Sequence, residues 1–126
     1  MDKKAFLSEI EYSDTFELIN DFLSVYAEAL RVSEGINIQT SYLKVLAFYL
    51  LHGYSQETKR VIMEYMNKDS SYIANADHKL RKFGFLKKDE RHFKKSVFTE
   101  KSENLRKYLL GDGVKYIVVR FKKRKD

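Results

Sequence analysis

The run Leu43-Lys44-Val45-Leu46-Ala47-Phe48-Tyr49-Leu50-Leu51 constrains this chain most. Lys44 is its only charged residue, so a helix over this stretch has almost no polar face. It is about half the roughly 18 to 20 apolar residues that a membrane span needs. A helix too short to span and too apolar to lie on a surface must be covered on all sides. The sequence therefore predicts a central helix, capped by Ser41, running to about His52 and stopped by Gly53. Nine Phe and nine Tyr among 126 residues supply the bulk to surround it, and the length suits one domain over 1–126.

Around that core the periodicity predicts further helices. Asp14-x-x-Glu17 has the form of a capping box. Phe16, Ile19, Phe22, Leu23, Tyr26 and Leu30 then follow helical spacing, giving an N-terminal helix over 14–34 that ends at Gly35. Leu18, Val25 and Ala29 widen its apolar face, which suits either a simple core helix or one with the domain on one side and a second subunit on the other. Ser55 caps a helix over 56–67 with Val61, Ile62, Tyr65 and Met66 inward. After the polar turn Asn67-Lys68-Asp69-Ser70, another helix runs to Phe83 and stops at Gly84. Phe85-Leu86 and Phe93 to Phe98 read as the two strands of a charged hairpin over 85–98. Thr99 caps a helix to Leu110, Gly111-Asp112-Gly113 breaks it, and Val114 to Phe121 reads as a last strand. Residues 122–126 are a basic tail.

Charge is distributed unevenly. Residues 1–78 hold 7 Lys/Arg against 12 Asp/Glu, a balance of −5, and residues 79–126 hold 17 against 6, a balance of +11. Such asymmetry points to a polyanion partner, because each cation that meets a phosphate releases a counterion. The absence of cysteine excludes disulfides and thiolate metal sites and fits a reducing, cytoplasmic setting. Acidic residues follow too soon after Met1 for a signal peptide, and no membrane association is expected.

Helix, helix, short turn, helix and basic hairpin is the order of a winged helix-turn-helix, a mainly α fold with a small β-hairpin wing (α+β). The helix over 70–83 carries the chemistry. Ile73, Ala76, Leu80 and Phe83 share one face, while Ser71, Asn75, His78 and Lys82 share the opposite one, flanked by Tyr72, Lys79 and Arg81. Asn reads adenine, Arg and Lys reach guanine or phosphate, and Ser bonds either. Ser70 opens the helix, whose free N–H groups can meet a phosphate. The hairpin adds Lys87, Lys88, Arg91, His92, Lys94 and Lys95 as backbone or minor-groove contacts.

Leu80-Arg81-Lys82-Phe83-Gly84-Phe85-Leu86-Lys87-Lys88 resembles the end of the recognition helix and the first wing strand of MarR-type regulators. Asp89-Glu90-Arg91 is similar to their wing tip, and Phe98-Thr99-Glu100-Lys101-Ser102 to the stretch that opens their next helix. The resemblance covers roughly residues 40–110. It implies a homodimeric transcription regulator that binds duplex DNA, with the helix over 70–83 in the major groove and Ser71, Tyr72, Asn75, His78 and Lys79 facing it. Three departures stand out: Asp77 replaces an apolar residue, Ser102 replaces a glycine, and the strand over 114–121 replaces the family's long dimerisation helices.

No glycine-rich phosphate loop, zinc-protease motif or nucleophile elbow is present, so neither an enzyme nor a cofactor is expected. His52, His78 and His92 lack partners at metal-ligand spacing, and no small-molecule ligand is evident. Two alternatives remain at this level. One is a protein-interaction or assembly module, virus-encoded or not, built on the same fold. The other is RNA or single-strand binding through the basic C-terminal part, with Tyr116 and Phe121 as stacking faces.

Overall fold

Helix α2 (Thr40–His52) is the element around which the others pack, as its composition demands: Leu43 and every residue from Val45 to Leu50 are buried. In the computed structural model, which describes residues 8–125, α1 (Thr15–Glu34), α3 (Gln56–Met66), α4 (Ser70–Lys82) and α5 (Glu100–Leu110) all contact it. Residues 1–7, on which the signal-peptide expectation rests, and Asp126 of the basic tail lie outside the described residues. Strands β1 (Leu86–Lys88) and β2 (Ser96–Phe98) form a two-stranded antiparallel sheet, with Leu86 opposite Phe98 and Lys88 opposite Ser96. The protein is mainly helical with one small sheet. Among the described residues, no helix is long and apolar enough to cross a membrane.

The caps follow the sequence in most places. The Asp14 carboxylate accepts from the Glu17 amide at 2.8 Å, Ser55 Oγ from Thr58 at 3.1 Å and Thr99 Oγ1 from Ser102 at 3.3 Å. Gly35 ends α1 in the left-handed conformation (φ 70°), which a side chain resists, and its amide bonds the Arg31 carbonyl. Helix α2 differs. It begins at Thr40, and the residue before it is Gln39, which caps through its backbone carbonyl only. Ser41 lies inside the first turn. Ile38, buried just upstream, anchors the chain as it enters, so packing rather than a hydroxyl sets where this helix starts.

Helix α3 is rolled away from the expected face. Ile62 and Thr58 are buried, Met66 is half-buried, and Val61 and Tyr65 are exposed. Tyr65 still lies edge-on to Phe48 and Phe16 at ring distances of 5.1 and 6.5 Å. With this face inward, Lys59 Nζ lies 3.3 Å from the carboxylate of Asp77.

That carboxylate is the main polar feature of the interior. Asp77 is only 5% exposed, on the flank of α4 next to Ile73, Ala76 and Leu80. Tyr49 of α2 donates to its Oδ1 at 2.8 Å, Tyr54 of the α2–α3 connection donates to Oδ2 at 2.7 Å, and Lys59 Nζ lies 3.3 Å from Oδ2. A buried carboxylate left unpaired would be costly, and here both oxygens are satisfied. Burial, reinforced by the neighbouring Asp77, pushes the hydroxyls of Tyr49 and Tyr54 above the ordinary tyrosine pKa. Burial pulls Lys59 down, but its bonds and charges toward Tyr54 and Asp77 outweigh this, and its pKa is raised.

The hairpin and α5 close the fold. Ser102, where the resembling family has glycine, is fully buried and donates to the Phe85 carbonyl at 2.7 Å. Thr99 Oγ1 donates to the Gly84 carbonyl at 2.7 Å. Arg106 Nε reaches the Leu50 carbonyl at 2.7 Å, placing a cation at the C-terminal end of α2 where the helix dipole favours it. The return strand is shorter than expected. Residues 93–95 form no strand because the Lys95 amide bonds the His92 carbonyl and the His92 amide bonds the Asp89 carbonyl, turn bonds that replace ladder bonds. The expected strand over 114–121 is also absent. The Tyr116 amide donates to Tyr108 Oη at 2.6 Å, and the segment joins no sheet. β-branched and aromatic residues make a strand only where they join a ladder, and this segment pairs with neither β1 nor β2.

Replacing Asp77 by Ala should cost about 3 to 5 kcal/mol in denaturant unfolding, since it strands Lys59 and two tyrosine hydroxyls. A loss below about 1 kcal/mol would show that the cluster is dispensable. Tyrosines whose folded pKa lies above the unfolded value contribute fully below that value and lose their contribution as pH rises toward the folded one. Unfolding midpoints should therefore hold steady at neutral pH and fall once pH passes 10.0, the ordinary tyrosine value.

Candidate nucleic-acid interface

Helix α4 presents two different faces because its inner residues are fixed by the core and by Asp77. With Ile73, Ala76, Asp77 and Leu80 inward, Ser71, Asn75, His78, Lys79 and Lys82 are all exposed. Ser70 is exposed at the first turn. The structure thus brings together a polar and cationic stripe of the kind the helical spacing predicts. From Ser70 to Lys88 the only acid is Asp77, and it is turned inward and paired. The outward charge of this stretch is wholly positive.

Tyr72 and Arg81 are placed differently. Tyr72 is half-buried against Tyr42, with ring centroids 5.5 Å apart, and Lys68 Nζ sits 5.0 Å over its ring. Among the described residues its hydroxyl is buried without a hydrogen-bond partner, so it faces away from the exposed stripe. Arg81 is half-buried on the flank of α4 and donates from Nη1 to Ser96 Oγ at 3.1 Å, tying the helix to β2. Among the described residues its remaining N–H donors have no partner.

The start of α4 is occupied by its own cap. Asp69 Oδ1 accepts from the Tyr72 amide at 3.0 Å, so a carboxylate already stands where a phosphate was expected to meet free N–H groups. The cap stabilises the helix but sets a negative charge beside the stripe.

Lys87, Lys88, Arg91, His92, Lys94 and Lys95 are exposed along the hairpin. Asp89 is half-buried and accepts from the Arg91 amide at 3.0 Å, which bends the tip and leaves Glu90 as its free acid. Phe93 is 77% exposed at this tip. Lys101, on α5 behind the hairpin, is used structurally: its ammonium lies 4.1 Å over the Phe85 ring and donates to the Phe83 carbonyl at 3.3 Å. Burial holds its pKa below the usual lysine value, partly offset by Glu34.

The residues that orient the site were not visible as such in the sequence. Lys59, Tyr49, Tyr54 and Ser96 position α4, yet none was marked by spacing. The available signal was Asp77 itself, a carboxylate on an inward flank that requires donors from somewhere. Among the described residues, no group of three His, Cys, Asp or Glu gathers to hold a metal ion. No family model, curated protein or solved structure matches the chain.

The Asp69 cap can be separated from its charge. Asp69→Ala should lower stability by about 1 kcal/mol, whereas Asp69→Ser, which keeps an acceptor, should stay within about 0.5 kcal/mol of the parent. Equal losses in thermal or urea unfolding would show that the carboxylate acts as a charge rather than as a cap.

Proposed function

We propose that the chain is a winged-helix protein that binds duplex DNA as a transcription regulator, acting as a homodimer in the cytoplasm. In this reading α4 enters the major groove and the hairpin over 85–98 follows the backbone or the minor groove. The role is binding rather than catalysis. One observation carries it: the exposed stripe of α4 and the adjoining hairpin strand form a surface from Ser70 to Lys88 with no outward acid. Asn75 and His78 stand in the middle of the helical stripe as base-edge readers, and Lys79 and Lys82 flank them toward phosphate. The resemblance of residues 80–102 to MarR-type regulators supports the same assignment.

A second reading is favoured by the C-terminal segment. Val114, Tyr116, Val118 and Phe121 are 72%, 64%, 88% and 91% exposed, an apolar series that a binding partner would cover. An assembly module built on this segment would form stable oligomers and ignore polyanions.

Binding titrations on random duplex DNA, single-stranded DNA and RNA across a salt series, with oligomer mass measured alongside, separate these readings. Duplex affinity should fall steeply with salt and exceed that for RNA. Asn75→Ala and Lys79→Ala should each weaken duplex binding by roughly 1 to 3 kcal/mol while leaving unfolding unchanged. Unchanged affinity in both variants removes α4 from the interface. An oligomer that shifts no nucleic acid at low salt selects the assembly reading.

A further inference from the structure

The flank of α4 beside the exposed stripe borders an open cleft of about 470 Å³ between the first turns of α3 and the residues leading into β2. Three elements bring cations to it: Lys59 from α3, Arg81 from α4, and Lys94 and Lys95 from the hairpin. Asp77 is the one acid in its lining, and it is already paired with Lys59 at 3.3 Å. Arg81, Lys94 and Lys95 make no ion pair among the described residues. Three uncompensated positive charges thus surround one concavity. Like charges held this way repel each other, and the arrangement is relieved when a multivalent anion enters.

We propose that this cleft binds a small phosphate-bearing anion with two or more negative charges, such as pyrophosphate or the phosphate end of a phosphorylated small molecule. Arg81 supplies the directional contact. Its Nη1 is fixed on Ser96 Oγ at 3.1 Å, which holds the guanidinium in place and leaves its other N–H groups to grip two oxygens at once. Lys94 and Lys95 supply point charges from the hairpin, and Ser70 adds a hydroxyl to the lining. A single carboxylate would leave most of this charge unmatched. The cleft volume suits a small ligand, falling within the roughly 300 to 1,000 Å³ of such sites. Tyr54 also lines the cleft, but its ring already carries Lys59 at 4.7 Å and Tyr49 at 4.7 Å. The site therefore recognises the phosphate group and offers no free aromatic face for stacking a base.

Lys94 and Lys95 belong to the hairpin that duplex binding also uses, but anion and duplex affinities are measured separately, so either reading can fail alone. Calorimetric titration of the full chain with inorganic pyrophosphate, at a constant ionic strength of about 0.15 M, should give saturable one-site binding. The double variant Lys94→Glu/Lys95→Glu, at exposed positions, should weaken it by about tenfold or more, and Arg81→Gln by a similar factor. Lys122→Glu/Lys123→Glu removes the same net charge from the exposed tail and should change affinity by less than about twofold. Absence of saturation, or equal loss in the cleft and tail variants, overturns the proposal. Protection of Lys94 and Lys95 from acetylation by duplex DNA but not by pyrophosphate would also overturn it, while leaving the duplex reading in place.

Discussion

The buried carboxylate of Asp77 is the constraint on which the arrangement of helices depends. Its two oxygens take hydroxyls from α2 and from the connection after it, and a lysine from α3, while its own backbone belongs to α4. Apolar burial alone fixes the roll of a helix less sharply, because the hydrophobic effect is not directional. Hydrogen bonds to a charged group are directional, and a carboxylate that loses them in the interior is heavily penalised. The observed roll of α4 satisfies Tyr49, Tyr54 and Lys59 together. That roll turns Ser71, Asn75, His78 and Lys82 outward.

The hairpin is positioned by a second set of polar contacts that has no overlap with the first. Arg81 ties α4 to β2 through Ser96, and Thr99 and Ser102 tie the start of α5 to the carbonyls of Gly84 and Phe85. The helix that carries the exposed stripe and the basic hairpin are thus tied to each other through Arg81 and Ser96. The cleft at their junction exists because β2 begins only at Ser96, which leaves Lys94 and Lys95 outside the ladder and beside α4.

Much of the helical framework was legible because it rests on local chemistry. Asp14, Ser55 and Thr99 cap the helices that their positions announce, and the unbroken apolar run of α2 is as buried as its composition requires. What was not legible depends on residues far apart in the chain. The face of α3 could not be read from its own sequence, because Lys59 meets an acid on α4, 18 residues further along the chain. Tyr72 has the spacing of a groove-facing residue, but Tyr42 draws it inward. The segment over 114–121 has the composition of a strand without the neighbour that would make it one. Asp77 was visible as a departure from an apolar pattern. Its partners were not, since Tyr49 and Tyr54 lie 28 and 23 residues away.

The root of the hairpin has a mechanical consequence. The Phe85 carbonyl receives the Ser102 hydroxyl at 2.7 Å and the Thr99 amide at 3.3 Å, so the two ends of the excursion are pinned to each other and to α5 before the strands begin. The hairpin is a cantilever clamped at its base. The entropy of bringing its ends together is set by the clamp and grows only with the logarithm of the length beyond it. Residues 89–95 can therefore lengthen, shorten or change sequence with little effect on the helices beneath. The reach of the basic tip is free to vary while the body that carries it stays the same.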